Sequence, residues 1–249
     1  MSKQEVALIV GGGPGISASC ARLFSEVGMK VAVAARTPDK PVLKQLEQEL
    51  GVLLVACDAS DAVSVERLFS TVESELGNPT LVVHNIDGRS REVFGKAITE
   101  VEPEHVFATM RNSMFSAFLV GQQAARYLLA NEMGERGRGS IIYTNASAAL
   151  KGYAKSGAFA AVCHAKAGLA QSMARELMPQ GIHVANVPID AAIGWTQEDG
   201  SRGHALAGTT KDDNMADPKF IAETYLQIHR QHRSTWTHEV VLRPYVEKW

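Results

Sequence analysis

The chain has 249 residues, 45% of them hydrophobic, which is enough to bury the core of one sizeable α/β domain. Its net charge of −2 and the lack of a lysine- or arginine-rich run argue against nucleic acid or an anionic membrane as the main partner. Cys20, Cys57 and Cys163 lack the spacing of metal ligands, so we expect free thiols, a reducing compartment and no metal site.

Two patterns that would direct the chain to a membrane are missing from the sequence. The first residues do not combine a basic flank, an apolar stretch and a small-residue cleavage site. No apolar run approaches the roughly 18 residues of a membrane-spanning helix. We therefore expect a soluble, cytoplasmic protein that does not bind membranes.

The first motif joins an apolar strand to a helix. Residues 6–10 are all apolar, which is typical of a parallel strand buried on both faces. Gly11, Gly13 and Gly15 follow, and the chain continues as a helix after Ile16 and Ser17. Without Cβ atoms at these glycines, a phosphate could approach the backbone amides at the positive end of the helix dipole. The turn predicts a dinucleotide site, although such a turn can also need its glycines for packing alone.

Short apolar strands then alternate with helical patterns. This alternation predicts right-handed crossovers and an α/β fold of the Rossmann type, with a doubly wound parallel sheet of about seven strands and helices on both faces of a single domain. Asp61 is a predicted N-cap. The predicted strands are 6–10, 29–35, 52–57, 80–84, 140–144, 182–188 and 236–242, and the predicted helices are 18–27, 41–50, 62–76, 99–131, 156–178 and 218–232.

One segment does not fit this alternation. Residues 191–217 are polar and contain glycines, show little periodicity, and are too long for an ordinary connection. They form either a mobile lid or a partly disordered loop, and their position in the chain favours a lid-like substrate loop.

The glycine-rich turn resembles the cofactor turn of the short-chain dehydrogenase/reductase family. Gly11-x-x-x-Gly15-Ile16 follows the family spacing Gly-x-x-x-Gly-Ile-Gly, and later features extend the likeness over nearly the whole chain. Val10 stands where the family usually has threonine, and Ser17 replaces the third glycine. The resemblance implies an oxidoreductase that uses a nicotinamide cofactor on a small carbonyl, alcohol or activated double bond. It also implies a homodimer or homotetramer, as does the alanine- and leucine-rich composition of the two longest predicted helices.

The residues after the next strands bear on the choice of cofactor. A carboxylate after the second strand would favour NAD. The chain has Arg36 and Thr37 there instead, and these suit the 2'-phosphate of NADP. The alternative is that Arg36 is an ordinary surface arginine. Asp58 stands where the family has an acid beside the adenine. Asn85 falls on the family's Asn-Asn-Ala-Gly stretch, although either residue is also a good turn former.

The catalytic residues that the resemblance implies are only partly present. Asn112 matches the asparagine of the fourth helix, and Lys166 matches the lysine of Tyr-x-x-x-Lys. Ser147 is the hydroxyl nearest to the family's serine position, although strict alignment would place Asn145 or Ala146 there. The tyrosine position itself holds Val162, which cannot transfer a proton, so an atypical branch of the family is indicated.

Other side chains near Lys166 bear on what replaces the tyrosine. Phe159 stands seven residues earlier, where the related enoyl reductases have a tyrosine, and lacks a hydroxyl. Cys163 shares roughly the face of Lys166 but resembles small core filler, and His164 should point across the helix. Tyr153, on the preceding connection, could lean into the site.

Two functions from different classes follow. The first is an NADP(H)-dependent oxidoreductase in which water, the substrate or a non-standard residue delivers the proton. The second is a catalytically inactive NADP-binding sensor or scaffold, which loss of the tyrosine favours. The retained Lys166, Asn112 and lid-like loop favour the enzyme, while inheritance of the fold alone is a third interpretation.

Overall fold

The computed structural model describes residues 4–197, 199–204 and 207–248. Its centre is a parallel sheet in the order β3-β2-β1-β4-β5-β6. Because the chain winds in opposite directions from β1, the switch point lies between β1 and β4, where ligands bind in sheets of this kind. The strands are β1 (Val6–Val10), β2 (Lys30–Ala35), β3 (Leu53–Ala56), β4 (Leu81–His84), β5 (Gly139–Ala146) and β6 (Ile182–Ile189).

Helices cover both faces of this sheet. Alternate residues of β1 divide between two cores: Ala7 and Ile9 belong to one, while Leu8 and Val10 belong to the other. The predicted Rossmann-type α/β fold is therefore confirmed. The helices are α1 (Ile16–Glu26), α2 (Pro41–Leu50), α3 (Ala62–Leu76), α4 (Pro103–Met110), α5 (Ser116–Leu129), α6 (Gly157–Leu177) and α7 (Pro218–Arg230).

The predicted start of α3 is confirmed in detail. The Asp61 carboxylate accepts a hydrogen bond of 2.7 Å from the backbone N–H of Ser64. This contact satisfies one of the amides that the first turn of a helix leaves without a partner.

The prediction of one continuous helix over 99–131 is wrong. Residues 98–100 form a short 3-10 turn, α4 begins only at Pro103, and the π-helical turn Arg111–Phe115 separates α4 from α5. Proline suits the first position of a helix and disfavours helical backbone before it, which explains the late start. The π turn inserts extra backbone close to the cleft described below.

The predicted seventh strand, 236–242, is also wrong, and the sheet has six strands over the described residues. This segment runs parallel to β6 but makes only isolated bridges, Asn186 to Glu239 and Ile189 to Leu242. The backbone amides of Asn186, Val240 and Leu242 donate hydrogen bonds to carbonyl oxygens of the opposite segment. Pro188 lies between these bonds and has no N–H to donate, so the ladder is interrupted there.

Short strands occur in the predicted lid-like segment. The strand β7 (Ala192–Ile193) pairs with β11 (Met215–Ala216), and β8 (Trp195–Thr196), β9 (Arg202–His204) and β10 (Gly208–Thr210) form an antiparallel sheet. Arg202 donates to the carbonyl of Met215 at 2.7 Å, which ties the two small sheets together. A lid function for 191–217 stays a prediction. In the described part of the chain, no helix is long and apolar enough to cross a membrane.

Candidate active site

Two adjoining cavities lie at the carboxyl ends of the strands. The cavity beside the glycine-rich turn, called here the turn cavity, has a volume of about 800 Å³. The cavity beside Lys166, called here the lysine cavity, has a volume of about 850 Å³. Residues 85–87 and Arg89 line both, so the two form one continuous cleft.

Every residue predicted for the site borders this cleft. Gly11, Gly13, Arg36, Thr37, Asp58 and Asn112 line the turn cavity; Gly15, Ile16, Ser147 and Lys166 line the lysine cavity; and Asn85 lines both.

The glycines of the turn serve two different purposes. Gly11 has φ +109°, and a Cβ there would lie 2.4 Å from the carbonyl oxygen of Asn85, so close packing requires glycine. A Cβ at Gly13 or Gly15 would have no described heavy atom within 4 Å. Gly15 is also the N-cap of α1 and supplies no side-chain cap. The helix therefore presents uncapped amides to open space in the cleft, which fits the phosphates of a dinucleotide.

Ser17 has a structural role at the place of the family's third glycine. Its hydroxyl donates to the carbonyl oxygen of Gly11 and accepts a hydrogen bond of 2.7 Å from the Asn85 side chain. The backbone N–H of Asn85 donates to Val10 at 2.8 Å. Ser17 and Asn85 thus hold the turn against the end of β4.

The end of β2 presents cations to the turn cavity. Arg36 is exposed and makes no hydrogen bond or ion pair with a described residue. Lys40, which sequence reasoning missed, lines the same cavity and donates from Nζ to the carbonyl oxygen of Gly12 at 3.3 Å. Its only sequence indication is a second cation four residues after Arg36, just before α2. These groups could hold a phosphate.

Asp58 is an acid on the wall of the same cavity. Its carboxylate accepts hydrogen bonds from the backbone N–H and hydroxyl of Ser60, at 2.9 and 2.8 Å. These bonds, with smaller contributions from Arg111 and Arg36, hold the pKa of Asp58 below its usual value. Asp58 is therefore a negatively charged turn residue at the rim of the cleft.

Lys166 is the most deeply buried cation of the site, with 2% of its surface exposed. Its ammonium donates to the carbonyl oxygens of Ile86 and Thr144, each at 3.1 Å. Burial lowers its pKa from the ordinary value. Because Ile86 follows β4 and Thr144 lies in β5, two residues before its end, the lysine fixes α6 to both strands and places a positive charge in the cleft.

Val162 lies one helical turn before Lys166, on the same side of α6 as the residues that line the lysine cavity. It is buried in a small apolar cluster with Phe159, Cys163 and Ala148, which line the cavity, and does not itself border the described cavity. Burial raises the pKa of the Cys163 thiol to about 11, against the opposing effect of Lys166, so the thiol is protonated at neutral pH.

Four further side chains bear on the catalytic residues that the resemblance implies. The Ser147 hydroxyl donates to the carbonyl oxygen of Ile189 at 3.3 Å, at the wall of the lysine cavity. Asn145 is buried and donates to the carbonyl oxygen of Cys163 at 3.0 Å, which makes it a structural bridge. Tyr153 lines the cavity and is half exposed. His164 contacts the carbonyl oxygen of Ala160 on its own helix and does not line the described cavity.

Asn112 lies in the π turn, on the turn-cavity side of the cleft. Its carbonyl oxygen accepts a hydrogen bond of 2.6 Å from the Ser116 hydroxyl. His84, buried at the end of β4, lies 3.0 Å from the same hydroxyl and therefore donates its Nε2–H. A Cβ at Gly88, which has φ +70°, would lie 2.6 Å from the Asn112 carbonyl carbon. These contacts, which sequence reasoning missed, position the π turn against the cleft.

The fold and the cleft together define a class of protein. A parallel sheet with a switch point, a bare glycine turn at a helix start and a buried lysine beside it are features of Rossmann-type proteins shaped for a dinucleotide. The family model described as Enoyl-(Acyl carrier protein) reductase matches residues 11–238. The chain belongs to the short-chain dehydrogenase/reductase family.

Individual relatives are similar over most of the chain. The 3-oxoacyl-[acyl-carrier-protein] reductase MabA of Mycobacterium tuberculosis is 30% identical over 195 residues, covering 78% of this chain and 70% of the relative. A short-chain dehydrogenase of Rhodopseudomonas palustris is 27% identical, with a TM-score of 0.77 over 98% of this chain and 100% of that structure. A metagenomic short-chain oxidoreductase in complex with NADP shares the fold at 22% identity, with a TM-score of 0.76 over 98% of each chain.

Proposed function

We propose that this protein is an NADP(H)-dependent oxidoreductase that acts on a small carbonyl, alcohol or activated double bond with a proton donor other than the usual tyrosine. The observation that carries the proposal is the buried ammonium of Lys166, which faces the same cleft as the bare glycine turn. A buried cation is unfavourable unless it is compensated, and two backbone carbonyls compensate this one.

The turn cavity would hold the phosphate-bearing half of the cofactor. The amides near Gly13 and Gly15 suit the pyrophosphate, because no described side chain fills the space in front of them. Arg36 with Lys40 suits a 2'-phosphate, and Thr37 adds a hydroxyl. The lack of a carboxylate at the end of β2 is the argument for NADP over NAD.

The lysine cavity would hold the nicotinamide and the substrate. NADPH, when bound, supplies a hydride. Lys166 would bind the nicotinamide ribose and favour negative charge on a neighbouring acid, and Ser147 would contact the substrate at the cavity wall. Asn112, on the other side of the cleft, would order water between the two cavities.

The proton donor remains to be chosen among three groups. Cys163 and Tyr153 are proton-bearing side chains on the wall of the lysine cavity, and a water ordered by Lys166 and Asn112 is the third. The protonated Cys163 thiol lies closest in the chain to Lys166 and is buried beside it. Tyr153 belongs to the more exposed rim.

A second candidate is a catalytically inactive NADP-binding sensor or scaffold. Val162 favours it, because the position of the usual tyrosine holds a buried apolar side chain that cannot transfer a proton. Both functions need the turn cavity, and only the enzyme needs the lysine cavity to accept a substrate.

Self-association is part of the same proposal. Aromatic side chains on α4, the π turn and α5 are exposed: Phe107, Phe115 and Phe118 expose 68%, 42% and 40% of their surfaces. The rings of Phe115 and Phe118 stack with centroids 6.3 Å apart. Burying this surface against a second copy supports a homodimer or homotetramer. Sedimentation velocity tests it: Phe118→Asp should yield monomers, and a monomeric natural protein would contradict it.

A single-turnover experiment tests the enzymatic function. The protein is loaded with NADPH and mixed with a panel of aldehydes, ketones and enoyl compounds, and loss of NADPH absorbance is followed. We expect turnover with at least one class, and its loss in Lys166→Ala but not in the exposed control Lys44→Ala. NADPH that binds but is not oxidised by any compound would favour the sensor.

A further inference from the structure

The lysine cavity has a cationic wall. Its described charged residues include Arg89, Lys155 and Lys166 but only one carboxylate, Asp87. The Lys166 ammonium donates to two carbonyl oxygens, and the proposed function assigns its remaining N–H to the cofactor's ribose. Arg89 and Lys155 are therefore the cations that remain for the substrate.

Arg89 is held in place by aromatic rings. Its guanidinium carbon lies 4.4 Å from the ring centroid of Phe159 and 4.7 Å from that of Phe94. Such contacts stabilise and orient a guanidinium without using its N–H groups. Phe159 belongs to α6, seven positions before Lys166, and lines the lysine cavity. Arg89 therefore packs against the part of α6 that faces this cavity.

The hydrogen-bonding capacity of Arg89 is mostly unused. Its Nε is 3.5 Å from the Asp87 carboxylate, which is longer than a good charge-assisted hydrogen bond. Its two terminal nitrogens make no hydrogen bond with a described residue. A fixed guanidinium with two free terminal nitrogens is suited to bidentate binding of a carboxylate.

Lys155 adds a second cation at an unusual backbone position. Its φ is +60°, and among the described residues it is the one non-glycine residue with a positive φ. This conformation is unfavourable for lysine, and such strain persists where the surrounding structure enforces it. The rest of the cavity wall is largely apolar and includes Ile189, Ile193 and Trp195.

We infer that the substrate carries a carboxylate on an apolar body, and that Arg89, with Lys155, binds this carboxylate and determines specificity. The inference rests on the proposed oxidoreductase function and names its substrate class: keto or enoyl acids. Asp87 competes for the same guanidinium, so its charge weakens the binding of the acid.

The test compares acids with their neutral esters. Saturation-transfer NMR measures binding of 4-oxopentanoate and 4-oxodecanoate, their methyl esters, and phenyl phosphate, to protein with and without NADP⁺. We expect each acid to bind at least tenfold more tightly than its ester, from the charge-assisted hydrogen bonds to one guanidinium. Arg89→Met should remove this preference, Lys155→Gln should reduce it, and Asp87→Asn should increase it. The exposed Arg91→Met is the matched control.

Three results would overturn the inference: acids and esters that bind alike or not at all, tighter binding of phenyl phosphate than of the acids, or a loss of NADPH affinity in Arg89→Met that equals its loss of acid affinity. The last result would assign Arg89 to the cofactor, which is possible because it borders both cavities. NADPH titration of the natural protein separates these results from failure of the proposed function, in which NADPH itself would not bind.

Discussion

The glycine turn allows cofactor binding and folding stability to be separated by one substitution. A Cβ at Gly13 would have no described heavy atom within 4 Å, so Gly13→Ala adds a methyl group to open space. Gly13 does not have a positive φ, so the change should alter the free energy of unfolding by less than about 1 kcal/mol, and the restriction that alanine places on the unfolded chain acts to increase it. The same methyl group would stand where we place the cofactor's pyrophosphate.

The expected loss of cofactor affinity follows from the hydrogen bonds at risk. A hydrogen bond to a charged group contributes about 1.5–3 kcal/mol, so weakening one between a phosphate and a turn amide should reduce NADPH affinity roughly 10- to 100-fold. Gly13→Val should reduce it further. NADPH fluorescence titration measures affinity, and urea unfolding without ligand measures stability.

Gly12→Ala is the contrasting control. Its Cβ would meet the Leu43 side chain at 2.9 Å and the Val33 side chain at 3.0 Å, which is core overpacking and should cost about 1–3 kcal/mol of stability. If Gly13→Ala and Gly13→Val fold normally and bind NADPH within twofold of the natural protein, nothing rests against this part of the turn and the cofactor placement is refuted.

Three further predictions concern charge and protons. Lys166→Ala should lower both NADPH affinity and turnover in a fluorescence and stopped-flow comparison, because the proposed function places cofactor and substrate beside the same ammonium; a change in turnover alone would restrict its role to chemistry. Cys163→Ala and Tyr153→Phe each remove one candidate proton donor. The variant that lacks the true donor should lose turnover while its NADPH affinity is unchanged, and turnover in both variants would leave water as the donor. Burial holds the pKa values of His84 and His183 below 6.5, so below that pH the unfolded chain binds protons that the folded chain does not. The free energy of unfolding should therefore fall as pH drops below about 6.5, by up to about 1.4 kcal/mol per pH unit for each histidine. Urea unfolding between pH 5 and 7 should show a shallower slope for His84→Asn, and an unchanged slope would contradict the assignment.

The local patterns of the chain were sufficient for most of the fold. Five consecutive apolar residues at β1 predict a strand buried on both faces, and its residues do divide between two cores. Asp61 and Pro41 mark helix starts through backbone chemistry that is visible in the sequence. Such features depend on neighbours in the chain, which explains why they could be predicted.

The late start of α4 follows from Pro103, which the sequence itself shows, but the other two errors depend on contacts between distant segments. The π turn between α4 and α5 is braced by His84 through Ser116, a contact across 32 positions that periodicity does not reveal. The segment 236–242 alternates like a strand, but its partner β6 contains Pro188, and the effect of that proline depends on which strands are adjacent. Pairing partners cannot be identified from a single strand pattern.

The candidate site was predictable where the family motif places its residues and not elsewhere. The predicted residues all border the cleft because the glycine turn, the carboxyl ends of the parallel strands, the π turn and α6 meet there. Lys40 and Arg89 lie outside the motif and reach the cleft only through the folding of the β2–α2 and β4–α4 connections. The sequence shows that Val162 has no proton to transfer, whereas only the structure shows that it is buried in an apolar cluster with the cavity residues Phe159 and Cys163.

The most direct test of the account is a titration of the natural protein and of Arg36→Asp with NADPH and NADH, followed by nicotinamide fluorescence. The account predicts that the natural protein binds NADPH more tightly than NADH, because Arg36 and Lys40 face the turn cavity without a carboxylate at the end of β2. It predicts that Arg36→Asp loses this preference. Equal affinities in the natural protein would contradict the choice of NADP, and no binding of either nucleotide would contradict both proposed functions.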